Sequence, residues 1–245
     1  MKSINYDLNS LVETYNIDND YEQHKRFEFI EKLSGYFNIK NADILEFGSA
    51  SGQMTEILSN TAKRVVAVDG SSEFIAIAKQ KVKNSNIEFK ESYFEDFKTN
   101  EKFDCLIFLH IFEHLEKPSL LLSNAKNFLK KDAIVAIVVP NANALSRQLA
   151  VKMGLLSSIY ELTDNDKHHG HYRVYDWQML ENEIIENGFE IVGRHGLSFK
   201  LFSDKQNIEM LKAKIIGEEQ IKGLWKLGDE FQNISGAIMI VAKSV

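Results

Sequence analysis

Apolar residues recur along this chain in short continuous runs, separated by segments in which they return every three or four positions. The continuous runs predict strands at 43–48, 64–69, 87–92, 103–109, 133–140, 189–196 and 235–244. The helical spacing predicts a helix that begins at Asp20 and others at 54–62, 72–82, 118–130 and 176–189. Because the central strands lack a polar face and alternate with helices, we expect a parallel sheet covered on both sides.

The alternation of strands and helices stops at Pro140. The segment that follows is too long for an ordinary connection and rich in His, Asp and Asn, which favours a functional insertion. We predict one α/β domain over residues 1–245, with a doubly wound, seven-stranded, mostly parallel sheet and helical lid insertions. The expected helical N-terminal segment is 1–40, and the expected core is 41–140 with 176–245. The two expected lids are at about 141–175 and 200–233.

Composition narrows the class of protein. The 245 residues are 44% hydrophobic and carry a net charge of −6, which argues against nucleic acid or an anionic membrane as partner. Cys105 is the only cysteine, so no intrachain disulfide can form and a reducing cytoplasm fits best. The first twenty residues lack the pattern of a secretion signal. We expect a cytoplasmic monomer or homodimer that does not bind membranes.

The first predicted strand ends in an abrupt change to small residues, in the stretch DILEFGSASGQ (43–53). Glycines there allow a bound cofactor to approach the backbone closely. A dinucleotide loop requires Gly-x-Gly-x-x-Gly, but counting from Gly48 those places hold Ala50 and Gln53. The spacing therefore disfavours an NAD-dependent oxidoreductase.

This stretch resembles the first motif of the class I S-adenosylmethionine (SAM)-dependent methyltransferases, Asp/Glu-x-Gly-x-Gly-x-Gly. Glu46, Gly48 and Gly52 match it, while Ala50 replaces the middle glycine. Asp69 closes the second strand 21 positions after Gly48. An acidic residue at about this spacing can accept hydrogen bonds from both ribose hydroxyls. The resemblance implies SAM as the cofactor and S-adenosyl-L-homocysteine as its product.

Later stretches extend the resemblance and imply further cofactor contacts. ESYFEDF (91–97) matches the end of the family's third strand, which borders adenine, and FDCLIFLHIFEHLEKP (103–118) matches a segment that lines the methionine end. DYEQHKRFEFI (20–30) resembles a helix of ubiquinone-pathway O-methyltransferases in which an arginine reaches the SAM carboxylate. A solvated helix face is the alternative for that arginine. The implied cofactor residues are Arg26, Glu46, Gly48, Ser49, Gly52, Asp69, Gly70, Ser71, Tyr93, Phe94, Leu109 and His110.

The segment HGHYRVYDWQMLENEIIENGFEIV (169–192) also matches that methyltransferase group, with His171, Arg173 and Tyr175 on its pattern. Methylation of an alcohol generally needs a base to receive the proton, and histidine titrates near physiological pH. We expect His169 or His171 to deprotonate the acceptor and Arg173 to bind a phosphate or carboxylate on it. A purely structural His171, holding the insertion in place, is the alternative.

Metal binding is not expected, because the Asp/His-rich segment contains no tight metal spacing such as His-Glu-x-x-His. The favoured function is methylation of a small polar metabolite, at a hydroxyl oxygen of a sugar, sugar nucleotide or phosphorylated compound. A small amine as acceptor and a non-catalytic SAM-binding module are the alternatives. No Asn/Asp-Pro-Pro-Tyr/Phe element follows the fourth strand, so methylation of DNA amino groups lacks its signature.

Overall fold

The computed structural model describes residues 8–12 and 19–245, so much of the predicted N-terminal segment before Asn19 lies outside the described residues. One sheet runs through the molecule. Its strands are β1 (Asp43–Phe47), β2 (Arg64–Asp69), β3 (Ile87–Glu91), β4 (Phe103–Leu109), β5 (Leu129–Pro140), β6 (Phe189–Leu197) and β7 (Ala237–Ser244).

The strands are ordered β3-β2-β1-β4-β5-β7-β6. The first five pair in parallel, and β7 runs antiparallel to both of its neighbours. The predicted seven-stranded, mostly parallel sheet is confirmed. Because β1 lies at the point where the strand order reverses, the crevice at its carboxyl end is the usual ligand site of such a sheet.

Helices connect the strands and cover both faces of the sheet. They are α1 (Asp20–Leu33), α2 (Gln53–Ser59), α3 (Ser72–Lys81), α4 (Pro118–Ala125), α5 (Leu145–Lys152), α6 (Asp164–His168), α7 (Trp177–Glu186), α8 (Asp204–Lys212) and α9 (Glu218–Glu230). Helix α1 begins at Asp20, as predicted. Its N-cap is the residue before, Asn19, whose side chain accepts a hydrogen bond from the Glu22 N–H at 3.0 Å. No helix of the described residues is both long enough and apolar enough to span a bilayer.

Two hydrophobic clusters lie on opposite faces of the sheet, as alternating side chains of each strand require. On one face Leu45 and Phe47 pack with side chains of α4 and α7. On the other face Ile44 packs with side chains of α1 and α2. Cys105 of β4 is fully buried in this second cluster, and burial raises the pKa of its thiol. The sheet is therefore wound on both sides.

The predicted boundary between α4 and β5 is wrong. The helix was expected to continue to residue 130, but α4 ends at Ala125 and β5 begins at Leu129. Because β5 begins with polar residues, its first part does not have the apolar pattern of a strand. Lys130 donates to the carboxylates of Asp43 and Asp104, at 2.7 and 2.8 Å, and these ion pairs hold a polar strand end at the amino edge of the sheet.

Both extra segments begin and end at the carboxyl edge of the sheet. Residues 141–176 leave the end of β5, and Tyr175 pairs beside Asn141 in a short parallel bridge. Residues 198–236 join the end of β6 to the start of the antiparallel β7, which lies at the same edge. The two segments therefore lie where the crevice of the sheet opens.

Candidate functional site

The loop after β1 has the left-handed backbone that its glycines predict. Gly48 and Gly52 have φ angles of +79° and +87°, and Ala50 between them has +44°. A Cβ added to Gly48 would lie 2.2 Å from Cδ1 of Ile111, and one added to Gly52 would lie 3.0 Å from Cβ of Ala78. Glycine is thus required at 48 and 52 by both backbone conformation and close packing.

Asp69, at the end of β2, ties this loop to the start of α3. Its Oδ2 accepts the Ala50 N–H and its Oδ1 accepts the Ser71 N–H, each at 2.9 Å. Asp69 is 7% exposed, and burial raises the pKa of its carboxyl in spite of these hydrogen bonds. Each carboxylate oxygen keeps a second lone pair, so the group can still accept from a ligand hydroxyl.

Three side-chain atoms of the loop are buried without a hydrogen-bond partner: Ser49 Oγ, Ser51 Oγ and Gln53 Nε2. Buried polar atoms are normally paired, and leaving one unpaired costs about 1–3 kcal/mol. A polar ligand seated on the loop would pair them. A bare backbone, unpaired polar atoms and an acceptor carboxylate at the next strand end together fit the nucleoside and amino-acid portions of SAM.

The aromatic residues expected at the adenine end lie beside the same loop. Phe94 packs edge-on against Phe47, with 5.6 Å between ring centroids, and Tyr93 is 52% exposed. Gly70 lies between Tyr93 and Leu8, because a Cβ added to it would meet Cδ1 of each at 3.2 and 2.6 Å. The loop after β2 thus has an aromatic wall on one side and the chain's N-terminal segment on the other.

These N-terminal residues form a 3₁₀ helix, Leu8–Leu11; the sequence placed them in the helical segment 1–40 but gave them no part in the site. The Ser71 hydroxyl donates to Oδ1 of Asn9 at 2.7 Å. Neither Leu8 nor Asn9 belongs to a motif, so no signal in the sequence could have brought them to the cofactor loop.

Glu46 and Arg26 interact electrostatically at the end of the crevice that is expected to hold the methionine portion of SAM. Glu46 is 2% exposed, and Thr55 Oγ1 donates to its Oε2 at 2.6 Å. Burial raises the pKa of Glu46 to about 7, against the opposing effects of the Thr55 hydrogen bond and the charge of Arg26. Helix α1 therefore brings Arg26 within electrostatic reach of Glu46. The contact between Arg26 and the SAM carboxylate stays a prediction.

The end of β4 presents a histidine held by a buried carboxylate. Leu109 is partly buried against the core, and His110 has a φ of +54° with its side chain 42% exposed. His110 Nδ1 lies 3.2 Å from Oε1 of Glu113, which is completely buried. Burial alone would raise the pKa of Glu113, but His110 and its neighbouring histidines lower it. An ionised carboxylate only accepts hydrogen bonds, so with Glu113 ionised the His110 Nδ1–H is the donor of this contact.

Next to this point lie His114, on the segment after β4, and two histidines of the insertion, His169 and His171. The rings of His114 and His171 meet edge-on with 4.6 Å between centroids, and His169 lies 6.1 Å from His171. Burial lowers the pKa of His114 to about 4, so its ring is neutral at physiological pH. His169 Nδ1 lies 2.7 Å from the carbonyl oxygen of Asn165.

The Arg173 side chain binds backbone carbonyl oxygens in this structure. Its guanidinium donates to the carbonyl oxygens of Leu115 and Glu116, at 2.8 and 3.0 Å. The Tyr172 N–H donates to the Glu113 carbonyl at 2.8 Å. These bonds fasten the insertion to the segment after β4. The contact between Arg173 and an anionic acceptor stays a prediction.

Among the described residues, one group has the spacing of metal ligands. The ligand atoms of Glu113, His114 and His171 all lie within 4.8 Å of one another. The sequence predicted no metal because adjacent residues gave no motif, and His171 stands 57 positions after His114. Only the fold brings them together.

Comparison with known proteins agrees with this geometry. A family model described as a methyltransferase domain matches residues 19–193. A ubiquinone biosynthesis O-methyltransferase of Rickettsia canadensis is 25% identical over 211 residues, covering 84% of this chain and 80% of that protein. One of Glaesserella parasuis is 26% identical over 129 residues, covering 49% and 53%. The chain thus spans about half of the length of several such relatives.

A solved structure gives the same fold at low identity. The N-methyltransferase NodS from Bradyrhizobium japonicum, in complex with S-adenosyl-L-homocysteine, superposes with a TM-score of 0.61 and 15% identity, covering 98% of this chain and 99% of NodS. This supports the expected Rossmann-like methyltransferase fold. Since the family model spans well over half of the chain, the protein belongs to the methyltransferase domain family, and SAM is the cofactor that its glycine loop accommodates.

Proposed function

We propose that this protein transfers the methyl group of SAM to a hydroxyl oxygen of a small polar metabolite. The observation that carries the proposal is the contact of His169 Nδ1 with the Asn165 carbonyl oxygen, 2.7 Å away, on the insertion at the carboxyl edge of the sheet. The O-methyltransferase names of the relatives point to the same acceptor atom. The two segments at that edge, about 141–175 and 200–233, act as lids in this proposal.

The chemistry asks little of the protein beyond placement and one proton transfer. SAM supplies the electrophilic methyl group and the leaving group. The chain holds the acceptor oxygen about 3 Å from the methyl carbon, in line with the departing sulfur. Because an alcohol is a poor nucleophile near neutral pH, a base must receive its proton.

His169 suits that role better than His171. A carbonyl oxygen only accepts hydrogen bonds, so the contact with Asn165 requires the proton of His169 to be on Nδ1. In the neutral ring Nε2 then carries the lone pair that accepts a proton. The His171 side chain is 11% exposed and packs edge-on against His114, which suits a residue that holds the insertion.

The acceptor is a hydroxylated metabolite such as a sugar or sugar nucleotide in this proposal. A compound recognised mainly through its phosphate or carboxylate is less well supported, because the Arg173 guanidinium already donates to two carbonyl oxygens. Arg173 then acts as a positioning residue for the segment that carries His169.

The first test is binding followed by transfer. Calorimetry with SAM, its demethylated product and NAD should show binding of the first two only. Methyl-labelled SAM incubated with a metabolite extract should then label an acceptor whose methylated oxygen mass spectrometry identifies. SAM binding without any transfer would favour the non-catalytic module, and absence of SAM binding would overturn the proposal.

The second test concerns the base. His169→Ala should lower turnover by about 100-fold or more and leave SAM affinity within twofold, because general bases contribute roughly that much. His168→Ala, next to it in the chain, is the matched control and should retain turnover. An acceptor that arrives as a neutral amine needs no base, so full turnover in His169→Ala would favour N-methylation.

A further inference from the structure

A carboxylate and two imidazoles from distant parts of the chain converge beneath the insertion. Glu113 and His114 lie on the 3₁₀ helix that follows β4, and His171 lies on the insertion. Their ligand atoms all lie within 4.8 Å of one another. The proposed methyl transfer assigns no chemical step to any of the three.

One ligand atom of this group, Oε2 of Glu113, is buried without a hydrogen-bond partner. The Glu113 side chain is completely buried. His110 contacts only Oε1 of this carboxylate. A buried carboxyl oxygen without a partner is costly, and a cation at Oε2 would remove that cost.

We propose that Glu113, His114 and His171 bind a divalent transition-metal ion. One carboxylate oxygen with two imidazole nitrogens is a donor set that Zn²⁺ and the neighbouring first-row ions accept readily. Magnesium and calcium are disfavoured because they prefer oxygen ligands throughout.

The surroundings resemble the outer shell of a metal site. A histidine that binds a metal usually presents its other ring nitrogen to a carboxylate. Oδ1 of Asp166 lies 3.4 Å from His171 Nδ1, close enough for an ion pair but not aligned as a hydrogen bond. Arg147 donates to Oδ2 of Asp166 at 3.1 Å and fixes that carboxylate. This arrangement leaves Nε2 of His171 for the ion.

The ligands must draw together to close on the ion. Bonds of about 2.0–2.2 Å in a tetrahedral site place ligand atoms roughly 3.4 Å apart, so separations within the group would shorten by up to about 1.4 Å. His171 can supply much of that movement, because it belongs to a connecting segment rather than to the sheet. The bound ion would add a link between the insertion and the segment after β4, beside the Tyr172–Glu113 backbone hydrogen bond.

The site is tested on the purified full chain without cofactor or acceptor, so the result does not depend on the proposed function. After treatment with EDTA, the protein is titrated with Zn²⁺ in competition with a coloured chelator. We expect one ion per chain and a higher thermal midpoint with Zn²⁺. Glu113→Gln and His171→Ala should each weaken binding by at least about 100-fold, since even outer-shell losses cost 10–100-fold.

His168→Ala is the control, because His168 lies on the same segment outside the group, and it should bind Zn²⁺ like the unaltered chain. Circular dichroism and SAM calorimetry on every variant verify that the chain is folded. Folded variants that keep the original Zn²⁺ affinity would overturn the proposal, as would binding of Mg²⁺ in preference to Zn²⁺. Loss of SAM binding with Zn²⁺ binding intact would instead count against the proposed function alone.

Discussion

The polar side chains at the two edges of the sheet differ in whether they have partners within the chain. At the amino edge Asp43 is paired with both Lys63 and Lys130, and Lys130 also reaches Asp104. At the carboxyl edge several buried side-chain atoms have no partner, namely Ser49 Oγ, Ser51 Oγ, Gln53 Nε2, Glu113 Oε2 and His171 Nδ1. These charged groups of the amino edge are paired within the chain, whereas these polar atoms of the carboxyl edge have no hydrogen-bond partner.

Several carboxyl groups of the two edges also differ in the direction of their pKa shifts. Burial is the main cause that raises the pKa of three carboxyl-edge groups, Glu28, Glu46 and Asp69. At the amino edge Arg64 lowers the pKa of Glu88 and Glu101, and the lysines lower that of Asp43 against the effect of its burial. The three buried groups of the carboxyl edge thus lose stability at neutral pH, as is common at binding sites, whereas histidines lower the pKa of Glu113 at the same edge.

The largest expected effect is on cofactor binding. Asp69→Ala removes the acceptor of the loop N–H groups of Ala50 and Ser71, which is also the predicted acceptor for both ribose hydroxyls. Hydrogen bonds to a charged group contribute about 1.5–3 kcal/mol each, so SAM affinity should fall by 100-fold or more. Calorimetry measures the change. Asp43→Ala, the matched carboxylate of the amino edge, should leave SAM affinity unaltered, and equal losses in both variants would contradict the contrast between the edges.

A second effect should appear in the pH dependence of folding. The pKa of Glu46 is raised to about 7 in the fold from an ordinary value of 4.5. Its contribution to stability is therefore complete below about pH 4.5 and is lost as the pH rises through 7. That loss amounts to about 3 kcal/mol. Glu46→Gln should be more stable than the unaltered chain at pH 8 by up to that amount, with little gain at pH 4.5, in urea unfolding.

Glu88→Gln at the amino edge provides the opposite case. The pKa of Glu88 is lowered by the Arg64 hydrogen bond, so its contribution is present above its unfolded pKa and disappears as the pH falls through the folded value. Its replacement should cost a little stability at pH 8. A gain at pH 8 in both variants would show that the two edges do not differ.

The smallest expected effect is on the amino edge itself. Lys130→Met removes two ion pairs of a side chain that is about one-third exposed, and such pairs contribute roughly 0–1 kcal/mol each. The free energy of unfolding should fall by about 1 kcal/mol or less, and SAM affinity should stay the same. A larger change in SAM affinity than in stability would mean that this edge also serves the cofactor.

The sequence predicts the carboxyl edge best where its residues are neighbours in the chain. Gly48 and Gly52 stand in one loop, and Asp69 follows at the spacing of one helix and strand, so local pattern was enough. The group of Glu113, His114 and His171 was not predictable, because a contact across 57 positions depends on how the insertion folds back.

Other differences have equally specific causes. The polar start of β5 reads as part of a helix or loop, because ion pairs with other strands, rather than apolar side chains, hold Lys130 in the sheet. The backbone contacts of Arg173 were not predictable, because a sequence does not reveal which carbonyl oxygens a guanidinium will meet. The positions of the strands and the two covered faces of the sheet were predictable from hydrophobic periodicity.

The burial of Cys105 has a practical consequence for watching the insertion move. The thiol is fully enclosed in β4, and its raised pKa keeps it protonated, so reagents that attack thiolates should not modify the native chain. A single cysteine introduced at an exposed position of the insertion, such as Lys167→Cys, could then carry a fluorescent dye without removal of the natural one. Dye emission during titration with SAM would report directly on whether this segment changes its surroundings.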